Sequence, residues 1–240
     1  DVLKRAADTS IYFPHLIIYI GDTLVSKPMR KFLRTATGAQ QWRISESGDI
    51  EDCFQHLTCT IEGNPADVLA MLANSISHNA AAKGYRELWN SALKDAKEQT
   101  DKFEPRFSNG FAVKLFENEL TAYGGDSAVH YANSTAIRHA CRYADHYVYC
   151  NRGVNGIEGS LSTAAGFSLA TDKRVYCVIG DLSFFYDQNA LWNTRLRGNF
   201  RILLLNDGRG GIFNSLPGLE QSSALNDYIA ASHNTSAQGI

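Results

Sequence analysis

The sequence has little of what usually marks a protein out. Its 240 residues hold no apolar run near the ~20 residues that a membrane-spanning helix needs. Neither sign of charge dominates. With 23 Lys and Arg against 25 Asp and Glu the formal net charge is −2, so there is no basic footprint for nucleic acid and no electrostatic reason for a membrane surface. Five cysteines (Cys53, Cys59, Cys141, Cys150 and Cys177) show neither CxxC nor Cys/His metal spacing. Reduced core thiols in a cytoplasmic protein are the expectation. No G-x-G-x-x-G closes the first strand-like run, which leaves a dinucleotide without a seat.

What is present is an ordinary apolar fraction of 44%, patterned as short buried strands alternating with amphipathic helices. Leu16 to Ile20 is a strand-like run ending at Gly21-Asp22, followed by a helix with Met29, Phe32 and Leu33 on one face. Further strands are expected at 40–44 and around 57–61. Asn64-Pro65 then opens a helix to about residue 76, with Asn64 as cap and Pro65 in the first turn. This β-α-β-β-α order predicts a small Rossmann-like domain over 1–78. A polar connector helix, from about Lys83 to Lys102 within 79–106, leads to a second α/β domain over 107–240. The fold class expected is α/β, with two doubly wound parallel-sheet domains.

The second domain carries the chemistry. Val175 to Ile179 and Ile202 to Leu205 are buried-strand runs separated by about a dozen helical positions, as a parallel βαβ unit requires. Each ends in a turn, at Gly180-Asp181 and at Asn206-Asp207-Gly208. Earlier strand-like runs end at Asn133-Ser134, expected to cap a helix, and at Asn151-Arg152-Gly153. Residues 155–171, rich in Gly, Ala and Ser, are expected to form a closely packed helix. One polar strand end is an ordinary turn. Four at the carboxyl edge of one sheet, where open α/β sheets bind ligands, suggest a site for an anion and a hard cation.

These residues resemble the thiamine-diphosphate-dependent enzyme superfamily, through Gly180-Asp181 followed by Asn206-Asp207. Within it they are most similar to the 2-succinyl-5-enolpyruvyl-6-hydroxy-3-cyclohexene-1-carboxylate synthases. The segments that carry the resemblance are GDLSFFYDQNAL (180–191), IFNSLP (212–217), NRGVNGIEGSLSTAAG (151–166) and NSTAIR (133–138), with a fainter GDTLVSKP (21–28). The resemblance covers most of 11–240. It implies a central domain and an incomplete pyrophosphate-binding domain. The pyrimidine-binding domain of the family is expected to lie outside this sequence.

The resemblance implies thiamine diphosphate held through Mg²⁺ or Mn²⁺. Asp181 would be a carboxylate ligand of the cation, with Gly180, Leu182, Ser183 and Gly156 against the cofactor. Ile157 would be either the prop for its bent form or plain core. The family's second ligand comes from an Asn-Asn pair, here Asn206-Asp207, and two alignments are open. One makes Asp207 the ligand and Arg209 the carbonyl donor; the other uses Asn206 and Gly208. The ungapped alignment favours Asp207. Arg138, Arg152 and Ser134 match contacts to isochorismate, a dicarboxylate suited to guanidinium forks. Lys27 matches a lysine from the central domain, although Pro28 stands where the family can carry an Arg. Ile212, Phe213 and Leu216 match apolar contacts around the ring.

The implied reaction is the decarboxylating addition of 2-oxoglutarate to isochorismate in menaquinone biosynthesis, by a homo-oligomer (dimer or tetramer). The activating glutamate belongs to the family's pyrimidine-binding domain, so no catalytic residue is assigned here and the chain alone is expected to be inactive. Two alternatives stand beside it. One is another thiamine-diphosphate carboligase or decarboxylase of the acetolactate-synthase type. The other is a non-enzymatic association module in which the polar dipeptides are plain turns.

Overall fold

The computed structural model describes residues 2–21, 24–75, 80–123, 125–153 and 155–240. Asp22 and Thr23 of the GDTLVSKP segment, residues 76–79 at the expected domain boundary, and Val154 lie outside them. The chain divides into two compact units, Asp1–Phe103 and Glu104–Ile240.

The first unit opens with α1 (Val2–Arg5) and a single 3-10 turn, then runs β1 (Leu16–Ile20), α2 (Lys27–Thr35), β2 (Gln40–Ser45), β3 (Cys59–Glu62), α3 (Pro65–Ser75) and α4 (Ala80–Lys102). Its three strands are parallel in the order β1-β2-β3. Local chemistry sets the helix starts. The Ser26 hydroxyl accepts from the Met29 amide at 3.3 Å. Asn64 Oδ1 accepts from Ala66 N at 3.0 Å, and Pro65, which has no N–H to satisfy, begins α3. Ile17, Ala36, Ala39 and Phe54 form the core. The connector helix α4 packs onto it through Trp89, edge-on to Tyr12 and Phe32.

The second unit contains α5 (Asn109–Tyr123), β4 (Ser127–Tyr131), α6 (Thr135–Tyr143), β5 (Val148–Tyr149), α7 (Ser160–Leu169), β6 (Arg174–Gly180), α8 (Asp181–Asp187) and β7 (Phe200–Leu205). All four strands are parallel, in the order β5-β4-β6-β7. Their carboxyl ends therefore share one edge, and that edge positions the site. Central β6 is buried on both faces, with Val175, Cys177, Val178 and Ile179 fully inaccessible, as expected of an inner parallel strand. Ala132, Leu161, Ala164, Cys177, Ile179 and Phe184 make one core cluster. Small residues on α7 let it approach the sheet closely.

Three expectations need correction. The small-residue helix begins at Ser160 rather than near residue 155, because Gly159 takes φ +72°, a left-handed conformation that breaks the helical path. Ser134 precedes α6 but makes no side-chain cap. The Ile137 amide, which a cap would have satisfied, bonds instead to Ala132 O at 3.2 Å. Of the cysteines, all free, Cys177 is buried, Cys141 is exposed and the others are half-buried.

Candidate functional site at the carboxyl edge of the second sheet

Asp181 is the first residue of α8, immediately after Gly180 at the end of β6, and is 3% exposed. A buried carboxylate needs partners, and it has them on both oxygens. Oδ1 accepts from Leu182 N at 2.7 Å and Oδ2 from Arg209 N at 3.1 Å. The second bond joins the end of β6 to the loop after β7. His233 Nε2 lies 3.3 Å from Asp181 Oδ2, close enough for an ion pair when protonated but without hydrogen-bonding geometry.

The two members of the Asn206-Asp207 pair behave differently. Asn206 Oδ1 turns back to accept from Gly208 N at 3.1 Å, an Asx turn, and its amide faces Thr235 O at 3.4 Å. Asp207 is raised above the usual carboxylate range by burial first and by the charge of Asp181 second. Two carboxylates thus repel each other at this corner. Gly208 holds φ +71°, and an added Cβ there would stand 2.9 Å from His233 O. A Cβ on Gly211 would stand 2.7 Å from Asp207 Oδ2, so glycine lets the loop close around that carboxylate. Arg209 contributes its backbone: the N–H goes to Asp181, and its carbonyl accepts from Gly211 N at 2.9 Å.

On the other side of β6 the ends of β4 and β5 meet through one buried amide. Asn133 Nδ2 donates to Asn151 O at 2.7 Å and to Gly156 O at 2.5 Å, while Oδ1 accepts from Arg152 Nη1 at 3.0 Å. Arg152 Nη2 reaches Asn155 Oδ1 at 3.2 Å. Ser134 adopts φ +73° and ψ −130°, unusual for a residue with a Cβ, and Arg138 Nη1 donates to its carbonyl at 2.5 Å. Ser183 Oγ donates to Ile157 O. A continuous path of bonds and adjacent residues therefore runs from Arg152 through Asn133, Gly156, Ile157, Ser183 and Leu182 to Asp181.

The structure thus brings Gly156, Ile157, Gly180, Asp181, Leu182 and Ser183 together with Ser134, Arg138, Arg152, Asn206, Asp207 and Arg209 along one sheet edge. Ile212 and Phe213 lie on a 3-10 turn, Gly211–Ser215, that follows the loop, with Leu216 just beyond; all three are half-buried. Lys27 is in the first unit, at the start of α2. Among the described residues no group of three or more His, Cys, Asp or Glu is arranged to hold a metal by itself. Asn133 is expected from sequence only as strand-end punctuation and part of a helix cap, and His233 is marked by no local pattern. The segment bearing His233 reaches the site by long-range backbone pairing, Gly210 N to Ala230 O at 2.6 Å and His233 N to Gly208 O at 2.8 Å.

No protein-family model matches the chain. Curated relatives do. The chain is 41% identical over 229 residues to the 2-succinyl-5-enolpyruvyl-6-hydroxy-3-cyclohexene-1-carboxylate synthase of Bacteroides thetaiotaomicron, which covers 94% of the chain and 40% of that protein. It is 37% identical to the enzyme of the same name from Phocaeicola vulgatus and 36% to that from Desulfotalea psychrophila, again across 40% of each relative. The chain therefore spans about 40% of the length of the curated relatives it matches. Over nearly all of its own length the chain is similar to the 2-succinyl-5-enolpyruvyl-6-hydroxy-3-cyclohexene-1-carboxylate synthases.

Proposed function

We propose that the chain forms the central and pyrophosphate-binding parts of a thiamine-diphosphate-dependent transferase that adds 2-oxoglutarate, with loss of CO₂, to isochorismate. The observation that carries this reading is the bonded path linking Arg152 to Asp181. It joins a cationic group suited to a carboxylate substrate to an acidic corner suited to a cation.

The residues present fit the expected cofactor and metal. Asp181 and Asp207 repel each other, which a hard cation between them would relieve. Asn206, whose Oδ1 already accepts from the Gly208 amide, is the less available of the pair, which supports Asp207 as the second ligand. The Arg209 carbonyl retains a lone pair beyond its Gly211 bond. Gly180, Leu182 and Ser183 would line the diphosphate, and Gly156 and Ile157 the body of the cofactor. Thiamine diphosphate, when bound, supplies the carbanion chemistry.

The chain's own residues would bind and orient the substrates. Arg152 and Arg138 present guanidinium groups to the carboxylates of isochorismate, and Ser134 offers a hydroxyl beside them. Ile212, Phe213 and Leu216 would cover the ring and exclude water. Lys27 would add a cation from the first unit. No residue of the chain is assigned the activating proton transfer. That role falls in this reading to a glutamate outside the 240 residues, so the chain alone turns nothing over. A cytoplasmic homo-oligomer belongs to the same reading.

The test is to supply the full-length protein carrying this segment with isochorismate, 2-oxoglutarate, thiamine diphosphate and Mg²⁺. Joint consumption of the two substrates with release of CO₂ is expected. Condensation of pyruvate instead would place the protein with the acetolactate-type carboligases, and no turnover with either would leave an association module.

A further inference from the structure

Asn133 is 4% exposed, and it bonds to residues 150, 151, 152 and 156 of the strand-end loop of its neighbour β5. Its NH₂ clamps the carbonyls of Asn151 and Gly156, which lie on either side of Arg152 and Asn155. Its oxygen meets the Arg152 guanidinium at 3.0 Å and the Cys150 thiol at 3.7 Å. One side chain therefore fixes both the path of the loop and the direction of its cation.

The neutrality of this residue matters. Arg152 is half-buried, bonds to the amide oxygens of Asn133 and Asn155, and makes no ion pair among the described residues. Its Nε is buried with no partner. Held by neutral acceptors alone, the guanidinium keeps its charge for an incoming anion, whereas a carboxylate at position 133 would neutralise it. A carboxylate there would also face the two carbonyls that the amide now satisfies. Only an amide can donate to both carbonyls and accept from the arginine at once.

From this geometry we propose that Asn133 is a positioning residue, which orients Arg152 and keeps it unpaired so that it can engage a carboxylate of the acceptor substrate. The kinetic consequence rests on the synthase reading above; the structural consequence does not.

Two measurements test it. In the 240-residue chain, hydrogen exchange is compared between wild type, Asn133→Asp and Asn133→Ala. Two half-buried carbonyls lose their donor in either variant, so exchange in peptides spanning 151–157 should quicken by about tenfold or more while the amides of β7 hold their rates. Unchanged exchange at 151–157, or a uniform rise across the chain, overturns the proposal. The Ala variant decides the matter if the Asp variant fails to fold.

In the full-length protein, Asn133→Asp should raise the KM for isochorismate by about tenfold or more and leave that for 2-oxoglutarate within about twofold. In an Arg152→Ala background the same change should add nothing further to the isochorismate KM. An equal effect in both backgrounds would show that Asn133 does not act through Arg152. If the wild-type protein consumes no isochorismate, the synthase reading falls, and the exchange measurement still decides whether Asn133 positions the loop.

Discussion

Both units present a parallel sheet whose strands run into glycine-bearing turns, yet the two edges are finished differently. In the first unit Arg43, 7% exposed, closes the edge. Its Nη1 donates to Gly21 O at 3.3 Å, Nε to Asp49 O at 3.0 Å, and Nη2 pairs with Glu51 at 3.1 Å. The Tyr19 ring stacks below at 5.5 Å. The cation there is consumed by its own neighbours. In the second unit Asp181 and Asp207 crowd each other beside the His233 ring, and the Arg152 guanidinium meets amide oxygens only among the described residues, which in the proposed function leaves charge of both signs for a ligand. In the proposed reading, the same sequence punctuation yields a closed edge or a binding edge according to how far the chain neutralises its own charges.

The sharpest way to break this contrast is to remove the carboxylate at the centre of the binding edge. Asp181→Ala should weaken Mg²⁺-dependent thiamine diphosphate binding by about a hundredfold or more, since a first-contact carboxylate and the anchor of the Arg209 amide go together. Arg43→Ala, on the closed edge, should lower thermal stability and leave that affinity unchanged. Calorimetry and melting curves on the two variants separate the effects.

The sheets also differ in burial. Leu161, fully inaccessible against β6, should cost about 2–5 kcal/mol when cut to Ala. Ile18 of β1, 37% exposed, should cost about 1 kcal/mol by the same substitution, since over a third of it stays in water. Urea unfolding of both variants checks the difference; equal losses would remove the contrast in core quality.

The smallest effect concerns pH. Glu117, buried on α5, accepts from the Tyr131 hydroxyl and faces His146 Nε2 at 2.9 Å, while His146 Nδ1 lies 3.0 Å from Tyr147 O. Both ring nitrogens thus meet oxygens that accept. Burial works against the charged ring, but the bonds to Tyr147 and Glu117 and the charges of Glu117 and Asp145 raise it above 6.5. A histidine raised in the folded state adds stability that is fully present below its unfolded value and lost as pH rises through the folded one. Stability should therefore fall by up to about 1 kcal/mol as pH climbs from about 6 to 8, and Glu117→Gln should flatten that slope. An unchanged slope in the variant would take this pair out of the account.

Much of this organisation was legible in residues alone, because it is local. Apolar runs bounded by turns gave the strands, Asn64-Pro65 the start of α3, and the sheet's parallel connectivity put four polar strand ends on one edge. What stayed hidden depends on the third dimension. Ser134 looked like a cap, but its positive φ and the Ile137–Ala132 bond are set by how β4 enters α6. Asn133 looked like punctuation and a cap because its partners at 150–156 come from a loop beyond α6 and β5. His233 reaches Asp181 only because the last segment pairs with the 208–210 backbone. That Asn206 folds back onto its own turn, with Oδ1 on the Gly208 amide, is likewise set by the loop and not by its sequence.

The central claim is that the carboxyl edge of the second sheet holds a cation and, through it, a diphosphate. Calorimetric titration of thiamine diphosphate into the full-length protein, with Mg²⁺ and again with the cation chelated, tests it most directly. The account predicts saturable binding that requires the cation. Equal affinity in its absence, or no binding in its presence, would contradict it.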